Sequence, residues 1–589
     1  MMKLVKNRHM FHLEKDDSMS KLKKDNRRWL KQYGDARANL DYPEGSMIDS
    51  LMEIANKYPE YYAYEYFGKK VTFRHFIKQI EAVAKCLKNY GVAQDDIVTI
   101  CMPSTPEAIC AFYGVNLVGA VANMVHPLSS ENEIKDIING VKSKTIITLD
   151  MCLDKILNIK KETKLQKIIV ASPDSSLPPL KHYLYKITNY KKRVKLPKND
   201  EDVVLWTKFI SSESRFIGNY YTPKKGDDLA AILYSGGTTG TPKGIMLSNK
   251  NFNAIALGAH ELIEQSIPGN SVLSLLPIFH GFGLAVCIHT PLICGMKCIL
   301  LPKFNAKKFG DLIKKTQPNF LAGVPTLYEA LLNQRLKKND LSCVEAAISG
   351  GDILSGELKK KIDKFLEEHG SNAKVRAGYG LTEATAATCL SLDNLKDAED
   401  GYIGIPFPDT IFKIVKIGTY EEADIDEDGE ICISGPTVMM GYLNNDEETN
   451  QTLQRHKDKK IWLHTGDVGC MRNDGSIIFK QRLKRIIISS GYNIYPSQIE
   501  NVINSHKDVL TCSVIGVPHR YKGQVAKAYI VLKDGVEESG KIKKEIQELC
   551  KKNISKFSLP KEYEFRKKLP TTLVGKVAYK ELEKENNSR

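Results

Sequence analysis

The stretch that most constrains this chain is residues 229–249, LAAILYSGGTTGTPKGIMLSN. Leu229 to Tyr234 is apolar and uncharged and is bounded by Asp228 and Ser235, which predicts a short buried strand. It runs into Ser235-Gly236-Gly237-Thr238-Thr239-Gly240-Thr241-Pro242-Lys243-Gly244. Glycines at that density let successive backbone N–H groups turn inward into a concave anion nest. Ser235 and the threonines add hydroxyl donors, and Lys243 adds a point charge. A loop of this make-up after a buried strand is built to hold phosphate. A flexible linker would be longer and would lack the single lysine between Pro242 and Gly244. It is not a Walker A loop, which ends in Gly-Lys-Ser/Thr to put a hydroxyl on magnesium.

The flanking sequence says what carries that loop. At 589 residues the chain exceeds a single core. Thr72 is set to cap a helix in which Phe76, Ile77, Ile80, Val83, Ala84 and Leu87 recur at helical spacing and which Gly91 ends. A strand follows at Ile97 to Met102, then a helix opened by Thr105-Pro106 and closed by Gly119. Further strands at Lys144 to Leu149 and Lys167 to Ala171 continue the alternation, which argues for a parallel α/β sheet. From Ile411 the pattern turns β-rich. Beyond Lys484 come a strand at Ile486 to Ile488, a turn at Gly491-Tyr492-Asn493 and a helix from Pro496. Two strands, Cys512 to Val517 and Val525 to Leu532, and a helix from near Lys541 complete the pattern.

The expected fold class is therefore α/β: a large N-terminal domain (46–483) of α/β subdomains plus a β-rich subdomain, with a small mobile α+β C-terminal domain (484–589). Residues 1–45 are polar and basic and read as a loosely docked extension.

Charge and cysteine usage bound the setting. Lys plus Arg number 85 against 70 Asp plus Glu, a net +15 that suits polyanionic ligands, an anionic membrane surface or nucleic acid without choosing among them. Thirteen scattered cysteines, of which only Cys294 and Cys298 lie close together, read as buried free thiols in a reducing compartment rather than a zinc site. Met1 to Lys24 is charged throughout, without the apolar core of a secretory signal. The long apolar run Val272 to Leu301 is broken by Pro277, His280, His289, Pro291 and Lys297, which reads as buried core and not as a membrane span. A cytoplasmic protein is expected. Residues 177–198 stand apart: Leu180, Tyr183, Leu184 and Ile187 share a helical face beside Lys181, Lys186, Lys191, Lys192 and Arg193. That segment reads either as a solvated surface helix or as a peripheral contact with an anionic membrane.

The loop at 235–244 closely resembles the signature loop of the adenylate-forming superfamily: acyl-CoA synthetases, luciferases and nonribosomal adenylation domains. Most members read Ser-Ser-Gly or Thr-Ser-Gly where this chain has Ser235-Gly236-Gly237. Further stretches resemble the same superfamily in order along the chain. They are Leu276 to Gly283 (LPIFHGFG), Gly323-Val324-Pro325-Thr326, Ser349-Gly350-Gly351-Asp352, Gly378-Tyr379-Gly380-Leu381-Thr382-Glu383, Trp462 to Asp467 (WLHTGD), Gln481 to Arg485 (QRLKR) and Pro570 to Lys576 (PTTLVGK). The segment Gly114 to Pro127, GVNLVGAVANMVHP, resembles a family motif in which small residues pack a helix onto the sheet. Residues 177–198 look similar to an insertion in long-chain fatty acyl-CoA synthetases.

The resemblance implies a site. Ser235, Gly236, Gly237, Thr238, Thr239, Gly240 and Lys243 would hold the pyrophosphate end of ATP. Tyr379 would lie against adenine, Thr382 would touch the α-phosphate and Glu383 would hold Mg2+. Asp467 would accept from both ribose hydroxyls with Arg482 beside it. Gly351 would contact the nucleotide, His280 would line the acyl pocket, Lys484 would be the hinge and Gly491 would face coenzyme A. Lys576 would be the catalytic lysine. Family members often carry Gln where Ala377 stands, which removes or moves one nucleotide contact. The activity implied is ATP-dependent conversion of a carboxylic acid, a medium- or long-chain fatty acid foremost, to acyl-AMP and then to a coenzyme A thioester. His519, Arg520 and Lys522 would suit the 3′-phosphate of coenzyme A. An aryl acid, a carrier protein as thiol acceptor and a catalytically inactive nucleotide-binding regulator stand as alternatives. No nucleic-acid partner is expected.

Overall fold

The computed structural model describes residues 27–188, 200–235, 242–392, 400–489, 492–556, 558–571 and 577–587. Among these residues the chain forms three sheets of eight, fourteen and five strands. In the first, Ile97–Cys101, Val121–Met124, Thr145–Leu149 and Lys167–Ala171 lie parallel. The helix Phe73–Asn89 starts where Thr72 accepts a hydrogen bond from the backbone N–H of His75, and Pro106–Leu117 starts in the same way at Thr105. Every residue of Pro106–Leu117 is buried. The helix packs on the strands Ile97–Cys101 and Val121–Met124, and its Gly114 allows a close approach to the neighbouring helix: a Cβ there would lie 2.7 Å from Cγ1 of Val83 on Phe73–Asn89.

The strand Leu229–Ser235 joins the same sheet beside Val121–Met124 and pairs antiparallel with Lys243–Ser248. Ser235 is opposite Lys243 in register, and residues 236–241, on which the expectation of a phosphate loop falls, lie outside the described residues.

The second sheet begins as a parallel block, with Phe320–Gly323, Ala346–Gly350 and Val375–Tyr379 neighbouring one another in order. Through Cys389–Leu390 it turns antiparallel and continues into Tyr402–Pro406, Ile477–Arg482, Ile461–Met471, Gly429–Ser434 and Ile411–Val415. This is the β-rich region the sequence signalled from Ile411. The apolar run 272–301 folds as strand Ser271–Ser274, a wide-turn helix Phe282–His289, a short helix and strand Lys297–Leu300, and His289 is fully buried against Tyr113 and Asn253. Burial lowers the His289 pKa to about 3, keeping the ring neutral inside that core. No helix among the described residues is long and apolar enough to cross a membrane.

The third sheet belongs to the C-terminal α+β domain, whose two apolar clusters draw only on residues from Ile487 onward. Tyr492–Ile494 is a strand paired with Ile487–Ser489, so Tyr492 and Asn493 extend the ladder instead of forming the expected turn. The domain rests on the β-rich region: Ser497 donates its N–H to Gln481 and its hydroxyl to the carbonyl of Lys480, and Asn501 bonds Asp400.

The N-terminal expectation needs correcting for residues 27–45. Trp29 is 1% exposed, Tyr33 donates to the carbonyl of Pro406, and Leu40 and Tyr42 both donate to Asp409. Two large aromatics in this polar stretch supply enough apolar surface to dock it. Residues 1–26 lie outside the described residues.

Candidate active site

A cavity of about 1860 Å3 opens between the two larger sheets and the C-terminal domain. Ten of the expected site residues line it: Ser235, Lys243, His280, Gly351, Tyr379, Thr382, Glu383, Asp467, Arg482 and Lys484. They come from positions almost 250 residues apart, and the parallel block supplies many of them from the C-terminal ends of its strands, where open α/β sheets put ligands. Gly236, Gly237, Thr238, Thr239, Gly240, Gly491 and Lys576 lie outside the described residues. Thr571 and Val577, on either side of residues 572–576, bridge to each other, and Val577 and Tyr579 line the cavity. His519, Arg520 and Lys522 are not on its wall.

The turn after Val375–Tyr379 is set by one glycine. A Cβ on Gly380 would lie 1.8 Å from the carbonyl oxygen of Ala386, so only glycine lets the chain fold back this closely. The returning residues Thr385 and Ala386 have φ of +54° and +80°, an uncommon backbone for non-glycine residues and one that clusters at functional sites. The turn presents Thr382 and Glu383 to the cavity. Glu383 accepts from the hydroxyls of Tyr442 (3.1 Å) and Ser235 (3.5 Å). This oxygen-only set of one carboxylate and nearby hydroxyls fits a hard dication.

Asp467 is the most constrained group of the site. It is buried, accepts from the Tyr379 hydroxyl at 2.7 Å through Oδ2, and has Arg482 Nε 2.9 Å from Oδ1. Burial raises its carboxyl above the usual carboxylate range, against the pull of Arg482 and of the Tyr379 hydroxyl. The Arg482 contact is a charge pair without hydrogen-bond alignment, so Oδ1 remains a buried acceptor lacking a hydrogen-bond donor among the described residues. A sugar hydroxyl supplies what that oxygen lacks.

Two features escaped sequence reading. Lys243 is the first residue of a strand and forms an ion pair with Glu448, lying over the Tyr442 ring at 5.2 Å. Nothing local to Lys243 points to Glu448, more than 200 residues on. The His126 ring lies tilted against that of Phe279, with centroids 4.1 Å apart, and lines the cavity. Burial lowers its pKa, which favours a neutral ring. The signal was a lone histidine ending the small-residue stretch 114–127, next to Pro127.

Comparison with known proteins agrees with this geometry. Residues 51–443 match the profile of the AMP-binding enzymes, and residues 498–576 that of the AMP-binding enzyme C-terminal domain. The chain is 33% identical over 563 residues to a long-chain-fatty-acid–CoA ligase of Bacillus subtilis, covering 95% of this chain and 98% of the relative. It is 30% identical over 529 residues to the 4-coumarate–CoA ligase-like 2 of Arabidopsis thaliana, covering 89% and 87%. Its fold is similar to that of ATP-bound MatB from Rhodopseudomonas palustris, with a TM-score of 0.78 at 23% identity over 92% of this chain and 99% of that one. The anthranilate CoA ligase AuaEII with anthranoyl-AMP gives the same TM-score of 0.78 at 22% identity over 94% and 99%. The chain belongs to the AMP-binding enzyme family, whose chemistry is ATP-dependent adenylation and thioester formation, and is an AMP-forming acid–thiol ligase.

Proposed function

We propose that the acid is a medium- or long-chain fatty acid, activated as acyl-AMP with release of pyrophosphate and then passed to coenzyme A with release of AMP. The observation that carries this reading is a set of apolar side chains on the cavity wall. Ile255, Ala259 and Ile263 recur every four residues along and just past the helix Asn249–Leu262, an apolar stripe about 12 Å long. They line the cavity with Phe282, Val286 and Leu332. The whole cavity, at about 1860 Å3, exceeds the roughly 1,000 Å3 of a large small-molecule site. That leaves room for a chain beside a nucleotide. The name of the Bacillus relative supports the same acid class.

In this reading the residues keep the roles the motifs imply. Residues 235–243 neutralise the departing pyrophosphate, and Thr382 touches the α-phosphate. Asp467 and Arg482 fix the ribose, and Tyr379 lies against adenine. Gly351 and His280 lie at the junction of nucleotide and acid. Lys576 bridges carboxylate and phosphate while the carboxylate oxygen attacks the α-phosphorus in line. Glu383 is the group that would hold magnesium, which offsets phosphate charge when bound. Movement of residues 484–589 about Lys484, bringing Gly491 towards coenzyme A, completes the second step.

A pyrophosphate-release screen over fatty and aryl acids, with and without coenzyme A, tests the reading. Release with C10–C18 acids and acyl-CoA formation are expected. Release with aryl acids alone would favour an aryl ligase, and acyl-AMP that no coenzyme A consumes would favour a carrier-protein acceptor. No release with any acid from folded protein would favour a regulator.

A peripheral contact with an anionic membrane belongs to the same proposal. On the helix Pro179–Thr188, Leu180, Tyr183, Leu184 and Ile187 are 51–72% exposed, all on one face. Lys181 donates to the carbonyl of Phe67, whose ring is also exposed, so a second apolar tip stands beside the helix. Lys191, Lys192 and Arg193 lie outside the described residues. Four large exposed apolar side chains beside basic residues suit a lipid interface better than water. The protein is expected to pellet with phosphatidylserine-containing vesicles at low salt, and Leu184→Glu with Ile187→Glu to remain in the supernatant. Equal partitioning of both proteins would remove this part of the proposal.

A further inference from the structure

On the strand Gly429–Ser434, Glu430 and Cys432 are two residues apart and share one face of the sheet. His464 on Ile461–Met471 is directly opposite Cys432 in register. The three side chains meet: Oε2 of Glu430 lies 2.8 Å and Sγ of Cys432 3.6 Å from Nδ1 of His464. One ligand atom from each lies within 4.8 Å of the other two. We propose that Glu430, Cys432 and His464 form a site for a borderline-soft divalent ion, zinc foremost, distinct from the magnesium site at Glu383.

The distances favour this. A tetrahedral zinc ion with sulfur at about 2.3 Å and imidazole nitrogen at about 2.05 Å holds the two roughly 3.6 Å apart. Sulfur and nitrogen already stand 3.6 Å apart. A carboxylate oxygen at about 2.1 Å needs roughly 3.4 Å to the nitrogen, so Glu430 has to withdraw by about half an ångström. The ion takes the place of the proton between Glu430 Oε2 and His464 Nδ1. Oε1 of Glu430 continues to accept from the Gly466 N–H at 2.9 Å. A mixed sulfur, nitrogen and oxygen set suits zinc and not magnesium, which takes oxygen.

The far side of the ring is prepared too. Nε2 of His464 lies 2.9 Å from Nε2 of His456, a partner that orients a metal-binding imidazole. With the ion on Nδ1, the His464 proton sits on Nε2 and is donated to His456, which then carries its own proton on Nδ1. That Nδ1 is buried with no partner among the described residues, so the shift breaks no hydrogen bond. The thiol proton is the one lost to solvent, and thiolate and carboxylate together balance the dication.

Glu430 and His464 line the cavity, which gives the ion an entry path. Through Gly466 the site would brace the backbone just before Asp467. The other such cluster among the described residues, His506, Asp508 and Glu545, lacks these features. There the ring accepts the Asp508 N–H at Nδ1, which leaves the proton on the nitrogen facing Glu545.

The test is a titration of metal-free full-length protein with Cd2+ alone, reading the ultraviolet thiolate-to-cadmium charge-transfer band. One equivalent is expected to saturate the band, Zn2+ to displace it and Mg2+ to leave it. Cys432→Ser should abolish it. His456→Ala, which leaves all three ligand atoms in place and removes the partner on the far side of the His464 ring, should weaken binding about tenfold or more. His464→Gln covers the case in which the serine variant does not fold. A band that persists in folded Cys432→Ser or in folded His464→Gln overturns the proposal, as does no band in folded wild type.

Discussion

Lys576→Ala is expected to lower acyl-AMP formation by about two to three orders of magnitude, the cost of removing one preorganised group that meets developing charge. Turnover of supplied acyl-AMP with coenzyme A should remain close to wild type. The first step brings an anionic carboxylate up to an anionic triphosphate, and a cation between them lowers a repulsion present only there. The second step attacks a mixed anhydride with a thiol and has no such repulsion to offset. The described neighbours put the ends of this stretch at the cavity: Thr571 bridges Val577, and Val577 and Tyr579 line the wall. The Arg485 guanidinium, ion-paired with Glu500, lies 4.9 Å from the Tyr579 ring centroid and ties this edge to the helix Pro496–Asn504. Single-turnover assays of each half-reaction measure the two effects separately. Equal loss in both would mean that Lys576 acts through folding or domain position and not on the carboxylate.

What could be read from the sequence is what local chemistry decides. Thr72 and Thr105 had the hydroxyl and the following pattern of helix caps, and both cap. The turn at Gly378 to Glu383 was legible because a glycine, a hydroxyl and a carboxylate at fixed spacing need no distant partner to be recognised. Pairings across the fold were another matter. The register of Gly429–Ser434 against Ile461–Met471 decides that Cys432 faces His464, and a slip of one residue would turn them to opposite faces. The ion pair of Lys243 with Glu448 and the ring contact of His126 with Phe279 likewise depend on which strands and loops become neighbours. Residues 27–45 were misread because their average polarity hid Trp29 and Tyr33, and two buried aromatics outweigh a run of charge. The contact of Tyr379 with Asp467 lies between these cases. Each residue was legible in its own motif, but the hydrogen bond between them was not.

That contact makes Asp467→Ala the second large effect. The substitution removes the acceptor of the Tyr379 hydroxyl, the counter-charge of Arg482 and the buried oxygen that lacks a hydrogen-bond donor. If both ribose hydroxyls donate to this carboxylate, two hydrogen bonds to a charged group disappear, each contributing about 1.5–3 kcal/mol. The KM for ATP should then rise by roughly 100-fold or more, since about 1.4 kcal/mol is a factor of ten. Stability should also fall by about 1–3 kcal/mol, because the Tyr379 hydroxyl stays buried without its partner. A cycle with 2′-deoxy-ATP separates nucleotide recognition from this general damage. Wild type should discriminate against the deoxynucleotide by about tenfold or more, the share of one charged hydrogen bond. In Asp467→Ala that preference should vanish, because no carboxylate remains to notice the missing hydroxyl. Asp467→Asn should fall between, keeping one acceptor oxygen and losing the charge. Undiminished discrimination in a folded Asp467→Ala protein would show that another group reads the ribose, and Arg482 would be the first to examine.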